Sequence, residues 1–216
     1  MTFCLDTIII RPQNGIKIEN AVILFHGYGG DGKDISAICH NWQRHMPNTV
    51  FVCPNGHETC LINPSGFQWF DLTKEDKNYV LDESIKAENK IKKFINEIKD
   101  EFELENSKIC LSGFSQGCMI SLNVGLTSDE KFLCIVGFSG KIIDQKNLKE
   151  RIKNSTDILM IHGDLDQVVP STYLLEAKDF FLRNNINIET ILIKNCDHHI
   201  PIEASSKALN YILKKI

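Results

Sequence analysis

Gly113-Phe114-Ser115-Gln116-Gly117 stands between an apolar run, Lys108-Ile109-Cys110-Leu111-Ser112, and a helix-compatible one, Cys118-Met119-Ile120-Ser121-Leu122-Asn123-Val124. A strand leading into G-x-S-x-G and a helix leaving it describe a nucleophile elbow, a sharp turn that lifts one side chain out at the C-terminal edge of a sheet. The two glycines suit such a turn because a Cβ at either place would collide with the neighbouring strand or helix. The pentapeptide alone is a modest signal, since a serine in a strand–helix turn is more often a helix cap. Its weight depends on what the rest of the chain supplies.

Outward from the elbow, apolar runs of strand length alternate with longer amphipathic ones. Strands are expected over residues 5–10, 21–25, 49–53, 108–112, 132–138, 157–162 and 188–194. The central runs are almost continuously apolar, as in parallel strands covered on both faces. Ile91, Phe94, Ile95, Ile98 and Phe102 recur at helical spacing, as do Tyr173, Leu174, Ala177, Phe180 and Phe181. A last helix is expected from near Pro201, with Ala204, Ala208, Tyr211 and Ile212 on one side. This alternation predicts an α/β fold, a mostly parallel central sheet with helices on both faces. Residues 1–216 read as one domain, with no internal repeat or linker. The segment from Pro54 to about Tyr79 is long and irregular, in the manner of a lid or substrate wall.

Acyl transfer by serine needs a base for its proton, a carboxylate for the base, and N–H donors for the oxyanion. Ser115 is the candidate nucleophile. Asp166 follows the apolar run ending at His162, and His198 follows the run ending at Lys194. The chain order Ser, Asp, His is that of the α/β-hydrolase topology. Asp164 is assigned a structural turn role beside Asp166. The chemistry of the residues does not separate His198 from His199. Phe25-His26-Gly27-Tyr28-Gly29-Gly30 follows another strand, and its glycines let backbone approach a ligand. The expected oxyanion donors are the N–H groups of Gln116 and Tyr28. This loop lacks both the P-loop Lys-Ser/Thr and the spacing of a dinucleotide fingerprint. His26 precedes the elbow, and is read as a buttress of the loop.

Composition narrows the class. The chain has 216 residues, 43% hydrophobic and 24% charged, with a formal net charge of −4. That charge gives no case for nucleic acid or an anionic membrane surface. No apolar run approaches the ~20 residues of a membrane span. The residues Met1-Thr2-Phe3-Cys4-Leu5-Asp6 lack the pattern of a secretory leader, and the cytoplasm is the expected location. Eight cysteines without a C-x-x-C pair suit a reducing compartment, several of them inside strand-like runs. The spacing of Cys39, Cys53 and Cys60 around His57 is irregular, so no metal is expected.

Several stretches occur together in order: Phe25 to Gly32, Pro54-Asn55-Gly56, Trp69-Phe70-Asp71, the elbow, Gly137-Phe138-Ser139-Gly140, His162 to Pro170, and His198-His199-Ile200. In these the chain resembles the phospholipase/carboxylesterase family, which includes bacterial carboxylesterases and acyl-protein thioesterases, over nearly its whole length. The resemblance implies a compact α/β-hydrolase fold without a large cap domain, cleaving esters or thioesters of acyl chains without a cofactor. It places the catalytic trio on Ser115, Asp166 and His198, with Asp197 where the family usually has glycine. Trp69 matches a substrate-wall position, Gln116 matches an oxyanion donor, and Tyr28 stands where relatives often carry leucine. Small-molecule or lipid esters and thioesters are the substrates it implies, acylated proteins are compatible with it, and homodimers are common among such relatives. Two rivals, another small α/β hydrolase and a non-catalytic binding protein, differ in specific ways. A dienelactone hydrolase-like enzyme would carry cysteine at the elbow, and a peptidase would need polypeptide subsites. A non-catalytic binding protein on this fold would have lost one of the three side chains.

Overall fold

The computed structural model describes residues 3–216; Met1 and Thr2, part of the stretch read for a leader, lie outside it. In chain order the elements are β1 (Thr7–Ile10), β2 (Asn20–Phe25), α1 (Gly32–Trp42), β3 (Thr49–Pro54), β4 (Glu58–Thr59), β5 (Phe67–Gln68) and α2 (Lys77–Phe102). There follow β6 (Ile109–Phe114), α3 (Gln116–Thr127), β7 (Cys134–Phe138), α4 (Gln145–Arg151), β8 (Ile158–Gly163), α5 (Thr172–Arg183), β9 (Ile188–Ile193) and α6 (Ile202–Leu213). All the expected strands form. They build a 7-stranded sheet in the order β1-β3-β2-β6-β7-β8-β9. In this sheet only β1, at one edge, runs antiparallel, pairing Ile8 with Cys53 and Ile9 with Val52; the sheet's other pairings are parallel.

Alternation along β2 shows how the sheet is covered. Ala21, Ile23 and Phe25 face a core with Ile91, Phe94 and Ile98 of α2 and Met119, Ile120 and Val124 of α3. Val22 and Leu24 face the opposite core, with Cys39 and Trp42 of α1 and Ala208, Tyr211 and Ile212 of α6. On the first face, Ile135, Ile158 and Met160 pack against Leu174, Ala177 and Phe181 of α5. The period-2 pattern of strands buried on both sides thus reads as an unbroken apolar run.

Two helices and a hairpin do not stand out in the sequence. Helix α1 begins directly after the glycine-rich loop, and Asp31 caps it by accepting from the Asp34 N–H at 2.7 Å. Its buried face (Ile35, Cys39, Trp42) is narrow and interrupted by polar residues. Helix α4 has 7 residues, and β4 and β5 have 2 each, too short for periodicity to register.

Within the apolar stripe of α2 sits a buried carboxylate, Glu88. It accepts from Lys92 Nζ at 2.9 Å, from the Arg151 guanidinium at 3.0 and 3.1 Å, and from the Thr127 hydroxyl. Burial alone would raise its pKa. The Thr127 and Lys92 hydrogen bonds and the Arg151 charge outweigh burial and hold it below the usual carboxylate value. A depressed pKa makes this contribution to stability complete above the ordinary glutamate range and lost as pH falls from there through the lower native value. Glu88→Ala would strand two cations between α2, α3 and α4. The expected cost is about 2 kcal/mol, below that of a fully enclosed pair because Lys92 and Arg151 keep some solvent. Urea unfolding at neutral pH measures it, and the difference from wild type should shrink as pH falls below the ordinary glutamate range.

Candidate active site

The switch in strand order falls between β2 and β6: the chain leaves β2 towards β3, and β6 lies on the other side. Loops after such strands open a crevice at the sheet's C-terminal edge. The loop after β6 is the elbow. Ser115, between β6 and α3, has φ 53° and ψ −114°, a strained conformation for a residue with a side chain. Its N–H donates to the Phe138 carbonyl at 2.8 Å, which ties the turn to β7. A Cβ on Gly117 would lie 2.0 Å from the Phe25 carbonyl oxygen, and one on Gly113 would lie 2.3 Å from the Gly117 carbonyl carbon. Helix α3 thus packs backbone against β2 and β6, and the position of Ser115 is fixed.

Three loops meet at this point. His198, in the loop after β9, places Nε2 3.0 Å from Ser115 Oγ and Nδ1 2.7 Å from Asp166 Oδ2. With Nδ1–H donating to the carboxylate, Nε2 is left to accept the serine proton. Asp166, in the loop after β8, is buried, and its other oxygen accepts from the Val168 and Val169 N–H groups at 3.0 and 2.8 Å. Burial pushes this carboxyl up, but the His198 hydrogen bond and the Val169 N–H prevail and hold its pKa below the ordinary value. His199 points elsewhere. It is exposed and pairs with Asp197, which separates the two histidines.

Asp164 is structural in another way than the turn role expected of it: it accepts not within its own turn but from the Cys196 N–H at 3.4 Å, and so links the loops that carry Asp166 and His198. His162 has no assigned role in the sequence. It is buried, its Nε2–H donates to the Val169 carbonyl at 2.7 Å, and that nitrogen lies 3.4 Å from Asp166 Oδ2. Burial lowers its pKa and favours the neutral ring. Its place four residues before Asp166, at the end of a strand, was the only available signal.

The loop after β2 lies beside Ser115: a Cβ built on Gly27 would stand 3.4 Å from Ser115 Cβ. Among the described residues nothing accepts from the Tyr28 N–H, and Gln116, at the first position of α3, has no intrahelical acceptor. The Tyr28 phenol is pushed up to about 12 by burial and the Cys60 thiol, so its hydroxyl stays neutral. His26 is buried, donates through Nδ1 to the Gly27 carbonyl at 2.7 Å, and accepts through Nε2 from the Gly56 N–H at 2.8 Å. Burial lowers its pKa. A neutral imidazole thus buttresses the loop.

Trp69 differs from the substrate wall suggested for it. The residue is fully buried. Its indole N–H donates to the His26 carbonyl at 2.9 Å, and its ring meets Phe25 edge-on at 5.2 Å. The physical reason lies in Gln116, whose side-chain oxygen accepts from the Trp69 N–H at 3.0 Å while its amide donates to the Phe70 carbonyl at 2.7 Å. The Trp-Phe-Asp stretch is drawn beneath the site as a support. The Gln116 side chain is a second feature that sequence alone did not reveal.

Beside His198 lies a cavity of about 360 Å³, walled by Phe114, Tyr28, α1 and the residues after His198. The Phe114 ring packs against the His198 imidazole, centroids 4.8 Å apart and planes tilted by 43°. Among the described residues there is no group of three His, Cys, Asp or Glu side chains that could hold a metal. The constellation can deprotonate a hydroxyl, deliver it to an electrophile and return the proton.

Known proteins resemble this chain over most of its length. The profile of the phospholipase/carboxylesterase family matches residues 8–216. Acyl-protein thioesterase 1 of Kluyveromyces lactis is 31% identical over 191 residues, 79% of this chain and 82% of that protein. Acyl-protein thioesterase 1 homolog 1 of Dictyostelium discoideum is 29% identical over 218 residues, 94% of each chain. The crystal structure of esterase PE8 superposes with a TM-score of 0.93 at 30% identity, covering 98% of this chain and 99% of that one.

Proposed function

The chain belongs to the phospholipase/carboxylesterase family and is a serine hydrolase of carboxylic esters or thioesters, and we propose that Ser115, His198 and Asp166 carry out the reaction. His198 takes the Ser115 proton as Oγ attacks the acyl carbonyl. The Tyr28 and Gln116 N–H groups receive the developing oxyanion. Asp166 keeps Nδ1 protonated and stabilises the imidazolium. His198 then protonates the leaving alcohol or thiol, and water, activated by the same ring, releases the acid from the acyl-enzyme. The observation that carries this reading is the unbroken run of contacts, 3.0 Å from Oγ to Nε2 and 2.7 Å from Nδ1 to Oδ2, across three separate loops.

Trp69 serves this mechanism as a positioning residue through the His26 carbonyl. Residues 1–216 act as one domain, a reading supported by the single large sheet. Acylated proteins are among the substrates, as the names of the relatives suggest. Among the described residues no helix is long and apolar enough to cross a membrane. Seven buried free thiols support a reducing, cytoplasmic setting.

A fluorophosphonate probe tests the assignment, because only an activated serine reacts with it readily. The expected adduct is single and maps by mass spectrometry to Ser115, and Asp166→Asn should slow labelling about 10³-fold or more. Labelling at another serine, or unslowed labelling in that variant, would overturn the assignment.

A further inference from the structure

The cavity beside His198 is chemically lopsided. Ile35 and Ile38 of α1 and Ile200 of the last loop give it apolar walls, while Asp31 and Asp34 sit at the start of α1 on the same side. Among the described residues neither carboxylate is in an ion pair. Asp31 is half-buried and caps the helix, and Asp34 is exposed in its first turn. The positive end of the helix dipole offsets only about half a charge, so this wall stays negative. Lys33 is exposed and takes no part in the wall, and His199, which does, is matched by Asp197.

The position of the base decides what enters here. The imidazole that accepts the serine proton must return it to the departing atom, so that atom comes within hydrogen-bond reach of His198 Nε2. The group attached to it then extends along the wall that His198 helps to form. Resting on the catalytic reading above, we propose that this cavity receives the leaving alcohol or thiol, and that Asp31 and Asp34 make it select leaving groups that carry positive charge. A concave apolar site with one sign of charge at its edge focuses that field on whatever occupies it. Cationic leaving groups with a short apolar linker fit both features. Phosphate- or sulfonate-bearing leaving groups meet two unpaired carboxylates and are disfavoured.

Three butyryl thioesters isolate the effect: thiocholine (cationic), 2-mercaptoethanol (neutral) and 2-mercaptoethanesulfonate (anionic), each followed by release of free thiol. The quantity read is the ratio of kcat/KM for the cationic over the anionic ester. Asp31→Asn/Asp34→Asn removes both charges. Asparagine caps a helix as well as aspartate does, so α1 keeps its start. Comparison of variant with wild type cancels the intrinsic reactivity of the three thioesters. The ratio is expected to fall about tenfold in the double variant, with the neutral ester between the other two. In wild type it should also shrink as ionic strength rises. A ratio unchanged within twofold, on an enzyme that hydrolyses all three esters, overturns the charge selection alone. Failure of wild type to hydrolyse any of them, together with an unreactive Ser115 towards fluorophosphonate, overturns the catalytic reading and this proposal with it.

Discussion

Ser115→Ala is expected to lower kcat/KM for any acyl ester by about 10⁵-fold, with the protein still folded. The loss follows from the chemistry: without Oγ there is no acyl-enzyme, and only the oxyanion donors and binding remain to act on direct attack by water. The fold should tolerate the change. Among the described residues the Ser115 hydroxyl hydrogen-bonds only to His198, while the backbone turn is held by the Phe138 carbonyl and the packing of Gly113 and Gly117. Initial rates with a chromogenic short-chain ester, beside the circular dichroism spectrum and unfolding midpoint, check both halves. Retention of a tenth of the activity in a folded variant would exclude Ser115 as the nucleophile.

The adjacent histidines should respond in opposite ways. His198→Ala removes the group that stands between Ser115 Oγ and the Asp166 carboxylate, and is expected to cost about 10⁴-fold or more in kcat. His199→Ala removes an exposed ring paired with Asp197 and should cost no more than a few-fold. Single-turnover measurements on both variants make the comparison, and a reversal of the order would move the base to His199. The contrast has a simple structural origin. A shift of one residue along this loop carries the imidazole from the crevice to solvent.

The sheet was readable from the chain because strands buried on both faces appear as uninterrupted apolar runs, and all of the expected ones form. The elbow was readable because its glycines answer a steric demand that no other residue meets. The order of Ser115, Asp166 and His198 followed from the topology, since each sits at the end of a strand. Helix α1 was not readable. Its burial depends on packing against β3 and α6, including a Trp42 indole N–H donating to Ser205 Oγ, and its own pattern is weak. Trp69 carried the opposite lesson. An aromatic residue in an irregular segment suits a substrate wall or a core equally, and the Gln116 side chain, distant in sequence, drew it into the core.

Local pattern thus determined the strands, the turn at Ser115 and the set of candidate groups, because these follow from side-chain periodicity and backbone sterics over a few residues. Tertiary structure alone decided what His162 and the Gln116 side chain hold in place, and that, among the described residues, Asp31 and Asp34 stand without ion partners beside His198. Each of these depends on distances between loops far apart along the chain, and those distances exist only once the strands lie in register.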